Sequence, residues 1–338
     1  MSSPANGGLD CRALVLDSPH PVLEVLRDRA RSGTGPGRRD DPHRVALVVE
    51  GGGMRGVVSA GMTAALERLG LTGCFDLVVG ASAGAINGAA LIAGVAREGA
   101  AAYHGPLASR RFVNPARALR GRPVIDVSYV LEYASAGLDA GRHERVLASP
   151  IALHCVAVSV ETAETVTFSG MASKAELYDA VLASSRMPWA GGPPVEIGGR
   201  RYVDGGLGAA IPVAEALDAG ATHVLALQTR PHGVPRRSAS RIADVLIVRH
   251  LRALNPALAT LYRKRVEWYE RVVQDVARRS LEWGDGPPYV LGLRPAAGTP
   301  VVGQLERRSE VLSTAAREAE RLVDEMLPVG AERRAAAG

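Results

Sequence analysis

The sequence predicts an α/β fold in which a mainly parallel central sheet is sandwiched by helices, followed by a helical C-terminal region. The first observation is that short apolar runs alternate with helix-like stretches from residue 44 onward, which favours a parallel sheet with helices on both faces. The second is that runs such as Val45–Glu50 and His223–Gln228 are typical of buried strands. The third is the helical spacing of apolar residues within 242–281.

Each element is assigned from its local pattern. Apolar runs bounded by turn residues predict strands, and a Gly198-Gly199 pair predicts a hairpin turn inside one of them. The predicted strands are Val45–Glu50, Phe75–Val79, Ile151–Val160, Thr165–Phe168, Val195–Val203, His223–Gln228 and Tyr289–Leu293. The predicted helices are Pro21–Ala30, Val57–Leu69, Ser82–Ala96, Lys174–Ser184, Val213–Ala219 and Gln304–Met326.

The pattern also divides the chain into four parts. Residues 1–43 are expected to be an N-terminal extension and flexible linker, because 31–43 (RSGTGPGRRDDPH) is polar and rich in Gly and Pro. Residues 44–230 form the predicted core, and 231–330 form a mainly helical region that completes the domain. Residues 331–338 are expected to be a disordered tail.

The helical region at 242–281 has two faces. Six apolar residues at helical spacing form one face: Leu258, Leu261, Tyr262, Val266, Tyr269 and Val273. Basic residues form the other, which leaves a membrane-docking helix as one interpretation. Packing of the apolar stripe on the domain is the favoured interpretation.

Composition excludes several classes of function. The 338 residues are 47% hydrophobic and 22% charged, which is ordinary for a folded globular protein. The net charge of +5 is carried almost wholly by arginine, and the basic residues are scattered without interleaved aromatics. We therefore expect no nucleic-acid partner. A weak attraction to anionic lipid head groups, and hence a transient contact with a membrane surface, stays open.

Cysteine usage and the N-terminus bear on location. Cys11, Cys74 and Cys155 are widely spaced and odd in number, so neither a disulfide framework nor a metal site is expected. Residues 1–10 lack the pattern of a signal peptide, and the weakly polar stretch 81–96 is too short to span a bilayer. These features predict a cytoplasmic protein.

A G-x-S-x-G pentapeptide, Gly80-Ala81-Ser82-Ala83-Gly84, follows the predicted strand Phe75–Val79 and opens a helix. A serine on such a strand-to-helix turn presents its oxygen at the end of a sheet, and the flanking glycines allow the turn. Ser82 is therefore the candidate nucleophile. The alternative is a small serine that packs at the turn or caps the helix.

A glycine-rich segment, Glu50-Gly51-Gly52-Gly53-Met54-Arg55-Gly56, follows the preceding strand. Its backbone N–H groups can stabilise the oxyanion that forms when a serine attacks an acyl carbon. Gly51, Gly53 and Gly56 also fit a dinucleotide-binding G-x-G-x-x-G motif. That alternative is disfavoured because the acid it requires, Asp76, comes at the start of the next strand instead of its end.

An activated serine needs a base, and the sequence offers an aspartate or a histidine. Asp204-Gly205-Gly206 follows the strand-like Arg201–Val203, although an Asp-Gly pair taken alone is ordinarily a turn. Chain order permits any of three later histidines in a Ser–Asp–His triad, namely His223, His232 and His250. None of them sits in a Gly- or Pro-framed loop late in the chain, where that histidine usually falls.

Together, EGGGMRG, GASAG and DGG in this order resemble the patatin-like phospholipase family. The stretch from Ala183-Ser184-Ser185-Arg186-Met187-Pro188 to Asp204 is similar to the family's approach to its catalytic aspartate, and the resemblance covers about 44–230. It implies a three-layer patatin-like fold and a bacterial-type serine acyl hydrolase. Glu50 is a departure, since the family more often has aspartate there.

The resemblance implies a Ser–Asp dyad that cleaves lipid acyl esters without a histidine. Ser82 is then the nucleophile and Asp204 the base. Gly52 and Gly53 supply oxyanion N–H groups, Gly51 and Gly56 shape the loop, and Arg55 steadies it or meets a substrate phosphate. No metal or organic cofactor is implied. A Ser–His–Asp esterase, a catalytically silent binding protein of the same fold and a nucleotide-binding protein stay open as alternatives, and the sequence does not indicate the oligomeric state.

Overall fold

A computed structural model describes residues 20–136, 141–236 and 241–327. Its sheet contains eight strands: β1 (Val45–Val49), β2 (Leu77–Ala81), β3 (Ala152–Ser159), β4 (Thr165–Phe168), β5 (Val195–Ile197), β6 (Arg200–Asp204), β7 (His223–Leu227) and β8 (Tyr289–Leu293). Hydrogen-bonded neighbours follow the path β5-β6-β3-β2-β1-β7-β8, and β4 also pairs with β3. The five strands from β3 to β8 in this order run parallel, and β4, β5 and β6 add antiparallel pairs. The predicted α/β fold with a mainly parallel sheet is confirmed.

Helices cover the sheet. In chain order they are α1 (Pro21–Ser32), α2 (Val57–Arg68), α3 (Ala83–Ile92), α4 (Ala96–His104), α5 (Val127–Ala136), α6 (Arg142–Leu147), α7 (Lys174–Ser185), α8 (Val213–Asp218), α9 (Arg241–Leu254), α10 (Pro256–Leu281) and α11 (Ser309–Met326). Short 3-10 turns occur between several of them, including one at Gly53–Gly56.

The central strands are apolar at every position because both of their faces are buried. In β1, Val45, Leu47 and Val49 belong to the core under α1, α2, α4 and α11, whereas Ala46 and Val48 point to the face covered by α8 and α10. Burial of each such Val or Leu side chain stabilises the folded state by roughly 1.5–3 kcal/mol relative to leaving it exposed. The alternation of side chains along each strand therefore builds two cores and three layers.

Residues 20–43 contact the core. Three residues of α1, Val22, Leu23 and Leu26, are fully buried in the larger core. The Arg29 side chain is 1% exposed and forms ion pairs of 2.8 Å with both Asp41 and Asp76. The division of the chain into domains stays a prediction, and residues 1–19 and 328–338 lie outside the described residues.

The long C-terminal helix α10 packs its apolar stripe against the domain, as favoured from the sequence. Leu258, Tyr262, Tyr269 and Val273 are buried. The preceding helix α9 differs, because three apolar side chains are exposed on it: Ile242 by 77%, Val245 by 66% and Leu246 by 61%. Within the described residues, no helix has the length and apolar character needed to cross a membrane.

Candidate active site

Two strands meet end to end beside β3, and this junction positions the site. β2 pairs with the first half of β3, up to Ala81 opposite Val156, whereas β6 pairs with the second half and ends with Asp204 opposite Ala157. Because β4 pairs with the same residues of β3, it must occupy the other edge, so β2 and β6 share one edge. Their carboxyl ends therefore meet, and Ser82 contacts Asp204 although 122 positions separate them in sequence.

Ser82 lies on the sharp turn from β2 into α3. Its φ of 57° and ψ of −130° are strained for a residue with a side chain. The turn needs Gly84, because a Cβ there would lie 2.0 Å from the carbonyl oxygen of Val49. The Ser82 backbone N–H donates to Ser184, at 3.0 Å from its Oγ and 3.1 Å from its carbonyl oxygen. These contacts stabilise a conformation that presents the Ser82 hydroxyl at the end of the sheet.

The Ser82 hydroxyl donates a 2.7 Å hydrogen bond to Oδ2 of Asp204. The other carboxylate oxygen, Oδ1, accepts from the N–H of Gly206 at 2.7 Å. The Asp204 backbone N–H donates to the Arg186 carbonyl, which fixes the end of β6. Ser82 is 7% exposed and Asp204 is 6% exposed, so both groups are largely shielded from water.

Burial raises the pKa of Asp204 to about 6. The hydrogen bonds from Ser82 and Gly206, together with the positive charge of Arg236, oppose this shift because they favour the ionised carboxylate. A carboxylate with a raised pKa is a better match for accepting a proton near neutral pH. The arrangement can therefore remove a proton from the serine hydroxyl without a histidine.

The glycine-rich segment 51–56, here called the glycine loop, lies across the start of α3. Gly52 and Gly53 have positive φ angles of 139° and 59°, which glycine adopts without steric cost. No acceptor for the N–H of Gly52 or Gly53 is found among the described residues. The next N–H, that of Met54, is bound by the carbonyl of Gln304 at 3.0 Å. Two neighbouring backbone donors are thus left open beside Ser82.

Two buried charged side chains, those of Glu50 and Arg55, stabilise this loop. Oε2 of Glu50 accepts from the Thr229 N–H at 2.6 Å, and Oε1 accepts from the Tyr269 hydroxyl at 3.1 Å. The Arg55 Nε donates to the Thr229 hydroxyl at 3.0 Å, and one of its terminal nitrogens lies 4.0 Å from Glu50. Glu50 therefore links the start of the loop to the segment after β7 and to α10.

Sequence reasoning missed a second support, Asn87 on α3. Its Nδ2 donates to the carbonyl of Gly56 at 2.9 Å, and its Oδ1 accepts from the Tyr103 hydroxyl at 3.1 Å. Burial raises the pKa of Tyr103, so its hydroxyl stays a donor. A single Asn in an otherwise apolar helix was the signal that could have found it.

None of the three histidines weighed from the sequence is among the described residues that line the two cavities at Ser82. His223 begins β7, opposite Val45 at the other end of the sheet, and its pKa falls to about 4 because of burial and nearby positive charge. His232 follows β7 in a turn, and His250 is exposed on α9. A histidine that was not weighed, His143 on α6, lines a cavity that reaches Ser82.

One cavity beside Ser82 is apolar. It has a volume of about 280 Å³ and is lined mainly by aliphatic and aromatic side chains of α3, α4, α5 and α7. Ile86, Ala89 and Ala90 of α3 line it one turn and two turns beyond Ser82. The cavity therefore follows α3 away from the nucleophile and has the shape and polarity to hold an acyl chain.

A second cavity lies on the other side of Ser82 and is cationic. It has a volume of about 240 Å³, and four arginines line it together with Asp204: Arg55, Arg230, Arg236 and Arg265. Ser82 and Met187 line both cavities. Gly53 faces the apolar cavity, and Gly51 and Gly52 face the cationic one. The candidate oxyanion donors, the N–H groups of Gly52 and Gly53, therefore lie at the boundary between the two cavities.

The acid that a dinucleotide site would need has another role. Asp76 precedes β2 and binds Arg29 and Arg39, each at 2.8 Å, as well as the N–H of Val45. These contacts lie at the amino end of the sheet, opposite the glycine loop. Among the described residues, no group of three His, Cys, Asp or Glu side chains could hold a metal ion.

The chain is similar to two known proteins, one found by sequence and one by structure. The chain is 33% identical over 195 residues to the uncharacterized protein YjjU of Escherichia coli K12, which covers 56% of this chain and 53% of that protein. The chain thus spans about half the length of this curated relative. Among solved structures, VipD from Legionella pneumophila aligns with 84% of this chain and 67% of its own, at 11% identity and a TM-score of 0.36.

The family comparison covers the elements that build the site. The model of the patatin-like phospholipases matches residues 47–217, half of the chain. The matched range runs from β1 to α8 and includes the glycine loop, Ser82 and Asp204. The chain therefore belongs to the patatin-like phospholipase family.

Proposed function

We propose that this protein is a lipid acyl hydrolase that cleaves carboxylic esters with a Ser82–Asp204 dyad. The family supports hydrolysis of lipid esters. The observation that carries the dyad is the buried 2.7 Å hydrogen bond from the Ser82 hydroxyl to Asp204, next to two unused backbone donors and an apolar cavity. A serine, a base and an oxyanion site are the three parts that acyl transfer needs.

In the proposed first step, the Ser82 oxygen attacks the ester carbonyl carbon while its proton moves to Asp204. The carbonyl oxygen becomes an oxyanion, which accepts hydrogen bonds from the N–H groups of Gly52 and Gly53. Loss of one such donor typically costs roughly 10²–10³ in rate. As the intermediate collapses, the proton on Asp204 passes to the departing alcohol, and the acyl group stays on Ser82.

In the second step, a water molecule gives a proton to Asp204 and attacks the acyl carbon. Collapse of the second intermediate releases the carboxylic acid and returns the proton to the Ser82 oxygen. Atoms and charge balance, because the ester and one water give one alcohol and one acid. The same residue thus acts as base and acid in turn.

The contact with a membrane surface and the cytoplasmic location also stay proposals. The exposed apolar residues of α9 support the contact, since such side chains on a helix with basic neighbours suit a lipid surface. Sedimentation with anionic vesicles tests it, and an absence of binding would contradict it.

The experiment for the dyad measures hydrolysis of a p-nitrophenyl ester series by matched variants. We expect Ser82→Ala and Asp204→Asn each to lose at least about 10³-fold in kcat/KM, since both act in the same step. Asp218→Asn is the control, because Asp218 is exposed at the end of α8. Cooperative thermal unfolding, with a melting temperature no lower than that of the wild type, shows that each variant folds.

A histidine panel separates the dyad from a triad. His143→Ala, His223→Ala, His232→Ala and His250→Ala are measured with the same esters. If one of these histidines is essential, the result favours a Ser–His–Asp triad over the dyad. Full turnover by Ser82→Ala would show that Ser82 is not the nucleophile. Absence of turnover with every ester would favour a silent binding protein.

A further inference from the structure

The hydroxyl of Ser185, the last residue of α7, is buried without a partner. The residue is 6% exposed, and its Oγ has no hydrogen-bond partner among the described residues. A serine in a helix commonly donates to the carbonyl four residues earlier, as Ser280 does to Val276 at 2.7 Å, but Ser185 does not. A buried hydroxyl without a partner destabilises the folded state, unless a bound molecule supplies the partner.

Ser185 occupies a position where the pattern of α7 favours an apolar side chain. Leu177, Val181 and Ser185 recur at intervals of four residues, and all three line the apolar cavity. Lys174 lines the same cavity from the other end of α7, about 16 Å away at about 1.5 Å per residue. Because the adjacent Ser184 accepts from the Ser82 N–H, Ser185 lies at the end of the cavity nearest the nucleophile.

The other polar side chains at this end of the apolar cavity already have partners. The Ser82 hydroxyl donates to Asp204. Asn87 accepts from the Tyr103 hydroxyl at 3.1 Å, and its Nδ2 donates to the glycine loop. None of these groups is therefore free to bind the Ser185 hydroxyl, and a bound substrate is the remaining source of a partner.

The oxyanion is not that partner, because it forms on the other side of Ser82. The glycine loop follows β1, and a Cβ at Gly51 would lie 2.9 Å from the Ser82 Cβ. Ser184 is bound to β3 instead, since its Oγ donates to the Val156 carbonyl at 2.6 Å. β2 lies between β1 and β3, so the glycine loop and the end of α7 flank Ser82 from opposite sides. A carbonyl oxygen turned toward the loop leaves the carbon chain facing Ser185.

The alcohol and the attacking water are not the partner either. Both exchange a proton with Asp204 in the proposed reaction, and Asp204 lines the cationic cavity. Among the residues that the structure describes, Ser185 lines the apolar cavity and not the cationic one. Its hydroxyl therefore meets the carbons of the acyl group that lie next to the ester carbonyl.

We propose that Ser185 binds a hydroxyl group on the second or third carbon of the acyl chain, so that the enzyme prefers esters of hydroxy acids over esters of unsubstituted fatty acids. The proposal rests on the proposed function of Ser82, which places the acyl group in the apolar cavity. A hydroxyl suits Ser185 because each of the two groups can both donate and accept a hydrogen bond. An acyl chain without this hydroxyl leaves Ser185 buried and unpaired, which gives the preference.

The test compares three methyl esters: octanoate, 2-hydroxyoctanoate and 3-hydroxyoctanoate. A hydroxyl near the carbonyl also changes the ester's own reactivity, so kcat/KM relative to octanoate is measured in both the wild type and Ser185→Ala. For at least one hydroxy ester, we expect this ratio to be about five- to tenfold higher in the wild type, the size of one hydrogen bond. Equal ratios in the two proteins overturn the proposal.

Two controls accompany this comparison. Ser169→Ala removes the hydroxyl of an exposed serine and should keep the wild-type ratios. Ser185→Ala removes only an unpartnered hydroxyl, so its melting temperature should be no lower than that of the wild type. A large loss of stability in Ser185→Ala would show that the hydroxyl has a structural partner, and would overturn the proposal.

A binding measurement separates this proposal from the hydrolase proposal. Octanoate, 2-hydroxyoctanoate and 3-hydroxyoctanoate are titrated as free acids into Ser82→Ala protein, followed by calorimetry. Tighter binding of a hydroxy acid, removed by a second change of Ser185→Ala, supports the assignment even where the wild type hydrolyses none of the esters. Equal binding of the three acids, or binding of none, overturns the assignment, and turnover of the esters by the wild type would still support the hydrolase.

Discussion

The two cavities that meet at Ser82 differ in both chemistry and origin. Of the residues that the structure describes, only some between 53 and 187 line the apolar one, all within the range that the family match covers. Six described residues from beyond that range line the cationic one, including Arg230, Arg236 and Arg265. The matched family elements therefore line the apolar cavity, and the C-terminal region supplies three of the four arginines of the cationic one.

This difference implies a single orientation for an ester at Ser82. Moving an apolar chain from water into the apolar cavity is favourable by roughly 25 cal/mol per Å² of surface. A polar or anionic alcohol half is stabilised where charged donors replace its hydration. The scissile carbonyl then lies at the boundary, beside the Gly52 and Gly53 N–H groups. Predictions that alter one cavity and leave the other intact test this division.

The largest effect is expected from blocking the apolar cavity at two depths. Ile86 and Ala90 lie four and eight residues after Ser82, so at about 1.5 Å per residue they are about 6 Å and 12 Å along α3. Ala90→Phe should reduce kcat/KM for long-chain esters by about a hundredfold and leave short-chain esters nearly unchanged. Ile86→Phe should shift the cutoff to shorter chains. Hydrolysis of a graded p-nitrophenyl ester series measures both.

Short-chain turnover serves as the internal control for folding in both variants. The account would be wrong about the acyl site if the two variants lowered activity equally at every chain length.

A smaller effect is expected from pH. Because Asp204 must be ionised to act as a base and burial raises its pKa to about 6, kcat/KM should fall about tenfold per pH unit below 6. The free energy of unfolding depends on this ionisation in the opposite direction from kcat/KM. The folded-state pKa lies above the ordinary value of 3.8, so the stabilisation from protonation is complete below about 4 and is lost as pH rises through 6.

Asp204→Asn isolates this contribution. The variant cannot ionise, so it should be more stable than the wild type at pH 8, by up to about 3 kcal/mol for a shift of about two pKa units. The difference should shrink as pH falls from 7 to 4. Thermal unfolding of both proteins measures it, and a stability difference that does not change with pH would argue against a buried, raised Asp204.

The sequence predicted those strands and turns that depend on residues close together in the chain. Tyr289–Leu293 and Thr165–Phe168 are strands with the predicted bounds, and the hairpin turns at Gly198-Gly199. The second strand is shifted, to Leu77–Ala81, because Asp76 before it is held by Arg29 and Arg39. The helix predicted to reach Ala96 ends at Ile92, since Gly94 adopts a φ of 69°.

The parts that could not be predicted depend on contacts between distant residues. The last helix begins at Ser309 and not at Gln304, because the Gln304 carbonyl instead binds the Met54 N–H behind the glycine loop. The cationic cavity joins residues 55, 230, 236 and 265, and no spacing in the chain reveals that they meet. Motifs predicted the candidate nucleophile and base, whereas the surroundings that select a substrate come from tertiary structure.

The most direct test of the Ser82 assignment is to trap the acyl-enzyme. Wild-type protein is mixed with a p-nitrophenyl ester, quenched with acid within the first turnover, digested and analysed by mass spectrometry. The account predicts that the peptide containing Ser82 gains the mass of the acyl group and that the Ser82→Ala protein shows no such gain. Acylation of another residue, or turnover with no acylated Ser82 peptide at any quench time, would contradict it.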